Sequence, residues 1–499
     1  MELLIRNDTQ YAADWLQTVK DLKAEQLLGI PAENIAAYIT SDPVEIKERQ
    51  ALIRDCMADS EITDVFRNIS DGLEAVKGIA AKSNIYSDSI ERTLYEIRTL
   101  QLYVECIDML SELWEKKKDT LHSQRLKSFL SEYAETGKSE KYNQLKEYLK
   151  NRLEGVENIK SFTVGVNLST SLEPREIGIV SMNDYHFSTP NFFQTFLSES
   201  KEDIHFVAPL VKFKSQNDLM ERSLYVTMNS ALCKSLKMAN RALEGWLRDI
   251  CKQLVTAMDD ISFICKAVKF PEGMREKSIP CCFAAPSDIT SVKRAYNPLL
   301  LRKLTASQII CNDIEFDPNG IYMHILTGAN SGGKSVFVML VGITQVLFQL
   351  GLPIPAKEGE IKVTSCVFTH FATSDKKGED ESRFVNECIE MRHIINTLPK
   401  NAMVLMDETF SATGSAEGAA VAYQVLKHIQ AAGCMCVYST HIHELEHYMA
   451  ELNKKAETAA PMHVEHLNGR RTFRVIYGAS EEQGYAYELA KKYGLEFEE

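Results

Sequence analysis

The residues most suited to chemistry form a glycine-rich segment that ends on a lysine and a serine, Gly328-Ala329-Asn330-Ser331-Gly332-Gly333-Lys334-Ser335. Glycines let successive backbone N–H groups turn inward around a phosphate, and a helix that begins after them adds partial positive charge. Lys334 is placed to reach the β- and γ-phosphates of a nucleotide, and the Ser335 hydroxyl is suited to ligate Mg²⁺. The spacing predicts a phosphate-binding loop made by all eight residues.

Two adjacent carboxylates follow an apolar stretch further along the chain. Asp407 and Glu408 come directly after residues 403–406, and ligands bind at the carboxyl ends of the strands in open α/β sheets. Asp407 is suited to hold Mg²⁺, directly or through water, and Glu408 to polarise an attacking water. Solvated acids at the end of a strand are the alternative, which the glycine-rich segment upstream disfavours.

A histidine ends the next apolar stretch, residues 437–441. In ATPases of the ABC type, a histidine at this place senses the γ-phosphate. A lone histidine is more often a satisfied surface or core residue. The position of His441, one strand beyond Glu408, favours a functional role, and we predict Glu408 and His441 as the catalytic residues.

A second motif lies directly after His441 and suggests a different kind of site. His443, Glu444 and His447 match the His-Glu-x-x-His pattern of zinc proteases, in which two histidines share one helical face and the glutamate acts as the base. His441, His463 or His466 would supply a further ligand. In the alternative, this segment simply begins the helix that follows the strand.

The elements that position these residues alternate between strand and helix after Tyr296. The apolar patterns predict strands over 321–326, 402–406 and 434–439, and helices over 336–350 and 416–431. Such alternation indicates a parallel sheet with helices on its faces. The glycine-rich segment then lies between a strand and a helix, which is the context that a phosphate-binding loop requires.

The first 295 residues show long helical patterns in place of the strand–helix alternation. Apolar residues between Ile90 and Trp114 recur at steps of three and four, and Gly137 is expected to interrupt the helical pattern. A second stripe predicts a helix over 218–265, about 70 Å long at 1.5 Å per residue. Between them, residues 162–168 alternate apolar and polar, which indicates a strand. Pro280, Pro286 and Pro298 mark a linker.

Composition limits the class of protein. The chain has 499 residues, 56 basic and 69 acidic, with a formal net charge of −13, so a broad basic face for nucleic acid is not the default expectation. No apolar run is long enough to span a membrane. Residues 1–20 carry charges throughout and lack the apolar core of a signal peptide, so we expect a cytoplasmic protein.

These motifs together resemble the MutS mismatch-repair ATPase family. The correspondence covers residues 296–499: Thr327 to Ser335 reads TGANSGGKS, Asp407-Glu408 ends a strand, and Thr440 to Leu445 reads THIHEL. Ser382 to Glu387 looks like the family's Ser-Thr-Phe-x-x-Glu segment, with Arg383 in place of threonine. The resemblance implies an obligate dimer with two composite sites for ATP and Mg²⁺, in which Ser382 reaches the partner subunit's nucleotide.

The resemblance also implies a fold and a division of the chain. We expect an α/β P-loop ATPase domain of the ABC type over 296–499, after a linker over 271–295. Before it we expect a mostly α-helical core over 1–110 and lever helices over 111–270, with a small mixed clamp-like tip at about 156–215. ATP would open and close these arms around a substrate, usually a DNA duplex.

Departures from the family pattern bear on the substrate. Too few residues precede the helical core for the family's mismatch-reading domain, so we expect no recognition of mismatches in the usual manner. The tip is not basic, since residues 156–215 hold five Lys/Arg against seven Asp/Glu. The position of the family's adenine-stacking aromatic falls near Ile309 or Ile310, which predicts aliphatic packing against the base.

Three functions follow from these observations. The first is a homodimeric ATPase that couples ATP binding and hydrolysis to clamping of DNA, structured or branched rather than mismatched. The second is an ATP-driven module that grips a protein or a ribonucleoprotein. The third is a zinc hydrolase built on His443, Glu444 and His447.

Overall fold

The computed structural model describes residues 3–4, 11–83, 90–157, 160–172, 174–186, 257, 259–317, 319–328, 333–371, 380–411, 413–467 and 470–478. The chain forms two compact units. The helical unit comprises Val65–Asp119 and Ser128–Asp259, and the sheet unit comprises Glu2–Asp64, Thr120–Lys127 and Asp260–Glu499. The division into core, lever, tip and ATPase domain that the sequence predicts stays a prediction.

Eight helices and one hairpin precede residue 187 in the described part of the chain. The helices are α1 (Ala12–Asp21), α2 (Ala24–Leu28), α3 (Ala32–Tyr38), α4 (Pro43–Ala58), α5 (Ser60–Ser83), α6 (Ile90–Lys117), α7 (Gln124–Lys138) and α8 (Glu140–Glu157). The hairpin pairs β1 (Ser161–Leu168) with β2 (Pro174–Asn183) in antiparallel fashion. The helix predicted from Ile90 to Trp114 and the strand predicted over 162–168 are therefore confirmed as α6 and β1. The remaining tip and most of the predicted helix over 218–265 lie outside the described residues.

The helical pattern is interrupted beside Gly137, as predicted, because α7 ends at Lys138 and α8 begins at Glu140. A Cβ atom on Gly137 would lie 2.8 Å from the Ser111 Oγ of α6, so the missing side chain allows the two helices to approach closely. Helix α8 is held to α6 as well, since the Tyr142 hydroxyl donates to Asp108 Oδ1 at 2.7 Å.

The sheet unit continues after a helix over residues 259–276 (α9). Its strands are β3 (Ala285–Ser287), β4 (Thr290–Ala295), β5 (Asn312–Phe316), β6 (Met323–Thr327), β7 (Glu358–Lys362), β8 (Val367–Phe371), β9 (Met403–Asp407), β10 (Met435–Ser439), β11 (Ala459–Leu467) and β12 (Arg470–Tyr477). Its helices are α10 (Lys334–Gln349), α11 (Asp380–Thr397), α12 (Ser415–Ala431) and α13 (Met449–Leu452). The elements predicted by strand–helix alternation are all present, with bounds shifted by a residue or two.

Six of these strands form one sheet in the order β12-β11-β6-β10-β9-β8. Neighbouring strands from β11 to β8 are parallel, and only β12 at the edge is antiparallel to its neighbour within this sheet. Residues of β6 and β10 are buried throughout, as expected for strands that are covered on both faces. The continuous apolar runs in the sequence reflect this burial.

Two strands, β3 and β4, lie in the second half of the segment predicted as a linker, residues 271–295. Strands β3 and β4 join β7 and β5 in a second sheet of order β3-β7-β4-β5. Pro286 lies in β3, at the edge of that sheet, where a residue without an N–H group costs no ladder hydrogen bond. Proline spacing alone therefore does not separate a linker from a short edge strand. Among the described residues, no helix is both long and apolar enough to cross a membrane.

One buried histidine makes the sheet unit sensitive to acid. His324 lies in β6, where its Nε2 meets the Glu315 carbonyl at 2.7 Å and its ring packs between Phe316 and Tyr477. Burial lowers the pKa of His324 from 6.5 to about 4. Between these pH values the unfolded chain binds a proton that the folded chain rejects, so the free energy of unfolding falls as the pH drops.

We expect His324→Gln to remove this part of the acid sensitivity, because glutamine retains an N–H donor for Glu315 and does not titrate. Between pH 7 and pH 4.5 the wild-type chain should lose about 2–3 kcal/mol more free energy of unfolding than the variant. Denaturant unfolding at both pH values measures the difference. Equal losses in the two proteins would contradict the assignment.

Candidate functional site

Three strands deliver the predicted site residues to one edge of the six-stranded sheet. In the register of the sheet, Ser439 at the end of β10 lies opposite Leu326 of β6 on one side and Asp407 of β9 on the other. Gly328, Glu408 and His441 therefore follow strands that end at the same level of the sheet. The parallel arrangement brings together residues that are far apart in the sequence.

The turn between β6 and α10 depends on glycine. Gly328 has φ 139° and Gly333 has φ 99°, backbone conformations that residues with a side chain avoid. Gly333 is the N-cap of α10, which begins at Lys334. The four residues Ala329, Asn330, Ser331 and Gly332 lie outside the described residues, so their predicted contacts with phosphate stay predictions.

Lys334 is the buried cation of the site. Its side chain is only 4% exposed and its Nζ lies 3.2 Å from Glu408 Oε1. The same Nζ donates a hydrogen bond to the Gly328 carbonyl at 2.8 Å. A buried ammonium group needs such partners, because an unpaired charge is costly away from water.

Glu408 joins this lysine to the predicted sensor histidine. Its Oε1 faces Lys334, and its Oε2 is hydrogen-bonded to the Nδ1 of His441. Its backbone N–H donates to the Ser439 carbonyl at 2.9 Å. The Glu408 side chain keeps 24% of its surface exposed, so it is in contact with water. A partly exposed carboxylate with this setting is suited to act on a water molecule.

Asp407 and Ser335 offer oxygen atoms for a divalent cation. Asp407 Oδ1 is buried and has no hydrogen-bond partner among the described residues. Ser335 lies in the first turn of α10 and lines the same cavity as Glu408. Carboxylate and hydroxyl oxygens are the ligands that Mg²⁺ prefers, and the unpartnered oxygen of Asp407 is one that a cation would satisfy. The chemistry of these two residues fits Mg²⁺.

Lys334, Ser335, Glu408 and His441 line a cavity of about 830 Å³, large enough for a nucleotide. Its charged and hydroxyl-bearing lining residues are Lys334, Ser335, Glu408, Ser411 and His441. Its other lining residues are mostly apolar and come from the segments before β6, from α10 and from β12: Asn297, Leu300, Leu304, Gln308, Ile310, Asn312, Gly333, Val336, Phe337, Leu340 and Phe473. A nucleotide needs both kinds of lining, charged groups for its polyphosphate and apolar groups for its base.

Asn297 anchors one wall of this cavity. Its side-chain oxygen accepts from the Leu299 N–H at 3.0 Å and caps a 3-10 helix over Pro298–Arg302. Its side-chain nitrogen donates to the Val336 carbonyl, in the first turn of α10, at 3.1 Å. One buried amide thus ties the apolar wall to the helix that carries Lys334. The sequence shows Asn297 before a proline, but it does not show this bridge.

Phe473 is a lining residue that the sequence does not reveal. It lies in β12 with φ 59° and is 48% exposed, which is unusual for an aromatic residue in a strand. A Cβ atom on Gly333 would lie 3.4 Å from its ring. Ile310 also lines the cavity, so the predicted aliphatic surface is accompanied by an aromatic one. Only the position of β12 beside β11 brings Phe473 to the glycine turn.

Asn312 holds the backbone on both sides of this aromatic residue. Its side-chain nitrogen donates to the Phe473 carbonyl at 3.3 Å, and its side-chain oxygen accepts from the Val475 N–H at 2.8 Å. A residue in the left-handed region persists when its surroundings hold it there. Asn312 is therefore the side chain that keeps Phe473 turned toward the cavity.

The zinc hydrolase hypothesis stays a prediction. Residues His443–Tyr448 form a 3-10 helix, and the side chain of His443 lies outside the described residues. Within the described part of the chain, no group of three or more histidine, cysteine or acidic side chains could hold a metal ion.

Ser382, the residue predicted to act on the partner's nucleotide, lies in the first turn of α11. Its side chain is outside the described part of the structure. Two apolar residues further along this helix, Val385 and Ile389, are exposed. They are four positions apart and so lie on one face of the helix.

Two family models match this chain, one in each half. Residues 324–497 match the family model described as MutS domain V, and residues 41–273 match the MutS2 N-terminal domain. The DNA mismatch repair protein MutS of Prochlorococcus marinus (strain AS9601) is 31% identical over 220 residues, which cover 44% of this chain and 24% of that protein.

Two further relatives are also matched over only a small part of their own length. The DNA mismatch repair protein MutS of Clostridium kluyveri (strain ATCC 8527) is 24% identical over 257 residues, covering 50% of this chain and 29% of the relative. The MutS protein homolog 4 of Mus musculus is 26% identical over 215 residues, covering 42% and 22%. The matched part of the chain thus spans less than a third of the length of each relative.

We expect Asn312→Ala to loosen β12 around Phe473. The buried Val475 N–H would lose its acceptor, at a cost of about 1–3 kcal/mol. Hydrogen exchange should therefore accelerate at the amide of Val475, and thermal unfolding should begin at a lower temperature. Asn319→Ala, at an exposed turn, is the matched control and should leave both unchanged. Unaltered exchange at Val475 in Asn312→Ala would show that the bridge does not hold the strand.

Proposed function

Because this chain belongs to the MutS family, we propose that it is a Mg²⁺-dependent ATPase that uses the energy of ATP to clamp DNA as a homodimer. The observation that carries the ATPase proposal is the contact of Lys334 and His441 with one carboxylate, that of Glu408, at the rim of a nucleotide-sized cavity. A cation, a general base and an imidazole meet there at the carboxyl edge of parallel strands.

In the proposed reaction, each polar group has a separate task. Backbone N–H groups of the glycine turn and the N-terminus of α10 bind the phosphates, and Lys334 neutralises charge on the β- and γ-phosphates. Ser335 and Asp407 would hold Mg²⁺, which supplies charge neutralisation across the outer phosphates when bound. Glu408 takes the proton of the attacking water, and His441 orients Glu408 and contacts the γ-phosphate.

The base of the nucleotide packs, in this proposal, against apolar residues of the cavity lining. Phe473 offers a ring and Ile310 an aliphatic surface, both of which line the cavity. Stacking on an aromatic face suits any purine, because the interaction depends on the π-face rather than on hydrogen bonds. We therefore propose that Phe473 packs against the adenine.

The dimer is supported by α11 and by the family. The family resemblance gives Ser382 a role in the partner subunit's site, and Val385 and Ile389 expose an apolar face on the same helix. An exposed apolar face of this kind is typical of an interface. We propose that the ATPase domains form the homodimer through this helix, with each Ser382 facing the nucleotide of the other subunit.

DNA is the proposed substrate of the arms, in structured or branched form. The support is the family and the curated relatives whose names describe DNA mismatch repair. The helical core, lever helices and clamp-like tip predicted from the sequence are the parts that would close on it. The cytoplasmic location predicted from the sequence stays a prediction.

A protein or ribonucleoprotein partner is the second candidate, and the hairpin β1–β2 favours it. Val166, Leu168 and Val180 are exposed apolar residues of that hairpin. Residues 156–215 contain five Lys/Arg and seven Asp/Glu, whereas DNA affinity depends largely on basic groups near phosphates. An apolar, slightly acidic tip fits a protein surface better than a phosphate backbone.

We expect two substitutions to separate binding from hydrolysis. Lys334→Ala should abolish detectable ATP binding, because it removes the buried cation. Glu408→Ala should still bind ATP but hydrolyse it about 10²–10⁴-fold more slowly, because the general base is lost. Equilibrium binding of a fluorescent ATP analogue and single-turnover hydrolysis measure the two steps. Lys400→Ala, at an exposed position, serves as the control.

Either of two results would contradict these assignments. Normal turnover in Glu408→Ala would show that another group acts as the base. Wild-type affinity in Lys334→Ala would show that the cavity does not bind phosphates through this lysine.

We expect the ATPase rate to rise with one class of DNA. The rate would be measured at low salt with duplex, mismatched, branched and single-stranded DNA and with RNA, and then at increasing salt. Branched DNA should stimulate hydrolysis most, and stimulation should fall with salt because phosphate contacts release counterions. A rate that is indifferent to every nucleic acid would argue against the DNA clamp and favour a protein partner.

A further inference from the structure

The turn that follows Asp407 has an unusual backbone. Glu408 has φ 55° and Phe410 has φ 62°, and both lie in the left-handed region that residues with a side chain seldom adopt. Two such residues in three positions persist only where neighbouring groups hold them. This turn sets the direction in which the Glu408 carboxylate leaves the sheet.

Strands β8 and β10 hold the first part of the turn. The Glu408 N–H donates to the Ser439 carbonyl at 2.9 Å. The Tyr438 hydroxyl donates to the Thr409 carbonyl at 2.6 Å, and the Thr409 hydroxyl lies 2.9 Å from His370 Nδ1. These groups belong to the sheet itself, so they fix Glu408 and Thr409 to the rigid part of the unit.

Helix α11 holds the second part of the turn. Glu387 is buried, and its Oε2 accepts the Phe410 N–H at 2.8 Å. Its Oε1 pairs with Arg383 Nε, one turn earlier on the helix, at 3.2 Å. Phe384 adds a ring contact to the aromatic ring of Phe410, with centroids 6.1 Å apart. Both oxygens of a buried carboxylate are thus partnered, and one of them closes the strained turn.

The residues that hold Phe410 belong to the same short segment as Ser382. Ser382 to Glu387 is the stretch that resembles the family's Ser-Thr-Phe-x-x-Glu motif. In that resemblance, only the serine has a stated task, which lies in the partner subunit's site. The structure gives Phe384 and Glu387 a task within their own chain.

We propose that Glu387 is a positioning residue for ATP hydrolysis, which holds the turn from Glu408 to Phe410 so that the general base points into the cavity. This inference rests on the proposed ATPase function. Because α11 also carries Ser382, one rigid helix then contacts the base-bearing turn of its own chain and, in the proposed dimer, the nucleotide of the other subunit.

The proposal depends on a hydrogen-bond acceptor at the right reach rather than on negative charge. Glutamine at position 387 keeps an oxygen at the same distance along the side chain, whereas aspartate keeps the charge but is one methylene shorter. If Glu387 acts as a hydrogen-bond acceptor, Glu387→Gln should therefore hydrolyse ATP faster than Glu387→Asp. A purely electrostatic role predicts the opposite order.

The experiment measures single-turnover ATP hydrolysis and the Kd for a fluorescent ATP analogue in the full chain with Mg²⁺. Glu387→Ala and Glu387→Asp should hydrolyse ATP about 10²-fold more slowly, as expected for a displaced catalytic group. Their Kd values should stay at the wild-type value. Glu387→Gln should recover most of the rate, and Asn396→Ala, exposed near the end of α11, should match the wild type.

The outcomes separate this inference from the proposed function. A wild-type chain that neither binds nor hydrolyses ATP would overturn both. An active wild type with full activity in Glu387→Ala, or with Glu387→Asp faster than Glu387→Gln, would overturn the inference alone. If thermal unfolding shows that Glu387→Ala is not folded, the order of the aspartate and glutamine variants decides.

Discussion

A buried lysine imposes the main constraint on this molecule. Lys334 is almost fully enclosed, and an ammonium group in such a place requires an anion and a hydrogen-bond acceptor. Glu408 and the Gly328 carbonyl supply them, but they follow different strands, β9 and β6, which have β10 between them. The pair can form only when all three parallel strands are in register. The sheet and the site therefore stabilise each other.

The turn after β9 connects this site to the rest of the sheet unit. Strained backbone at Glu408 and Phe410 is held from one side by strands and from the other by α11. Strained backbone is found at functional sites, where a side chain must point in a direction that an unstrained backbone does not allow. A helix that contacts both this turn and a neighbouring subunit would link two sites in one assembly without any long-range change in the sheet.

Two asparagines shape the cavity through backbone contacts. Asn297 ties a 3-10 helix to α10, and Asn312 holds the bulged backbone at Phe473. An asparagine side chain carries one acceptor and one donor group, so it can bridge two backbone segments at once. The charged part of the cavity lining depends on Lys334, Glu408 and the glycine turn, whereas its apolar part depends on these neutral bridges.

The sequence predicts the glycine turn, the paired acids, the histidine and the alternation of strand and helix, because each depends on residue type and local spacing. It did not show that Pro286 lies in an edge strand, because a proline at that place fits either a linker or a short strand. The position of Phe473 beside Gly333 and the hydrogen bond from Phe410 to Glu387 are visible only in the folded chain. Those contacts join segments that are far apart in the chain. Strand order and helix packing bring these segments together, and local periodicity does not encode either of them.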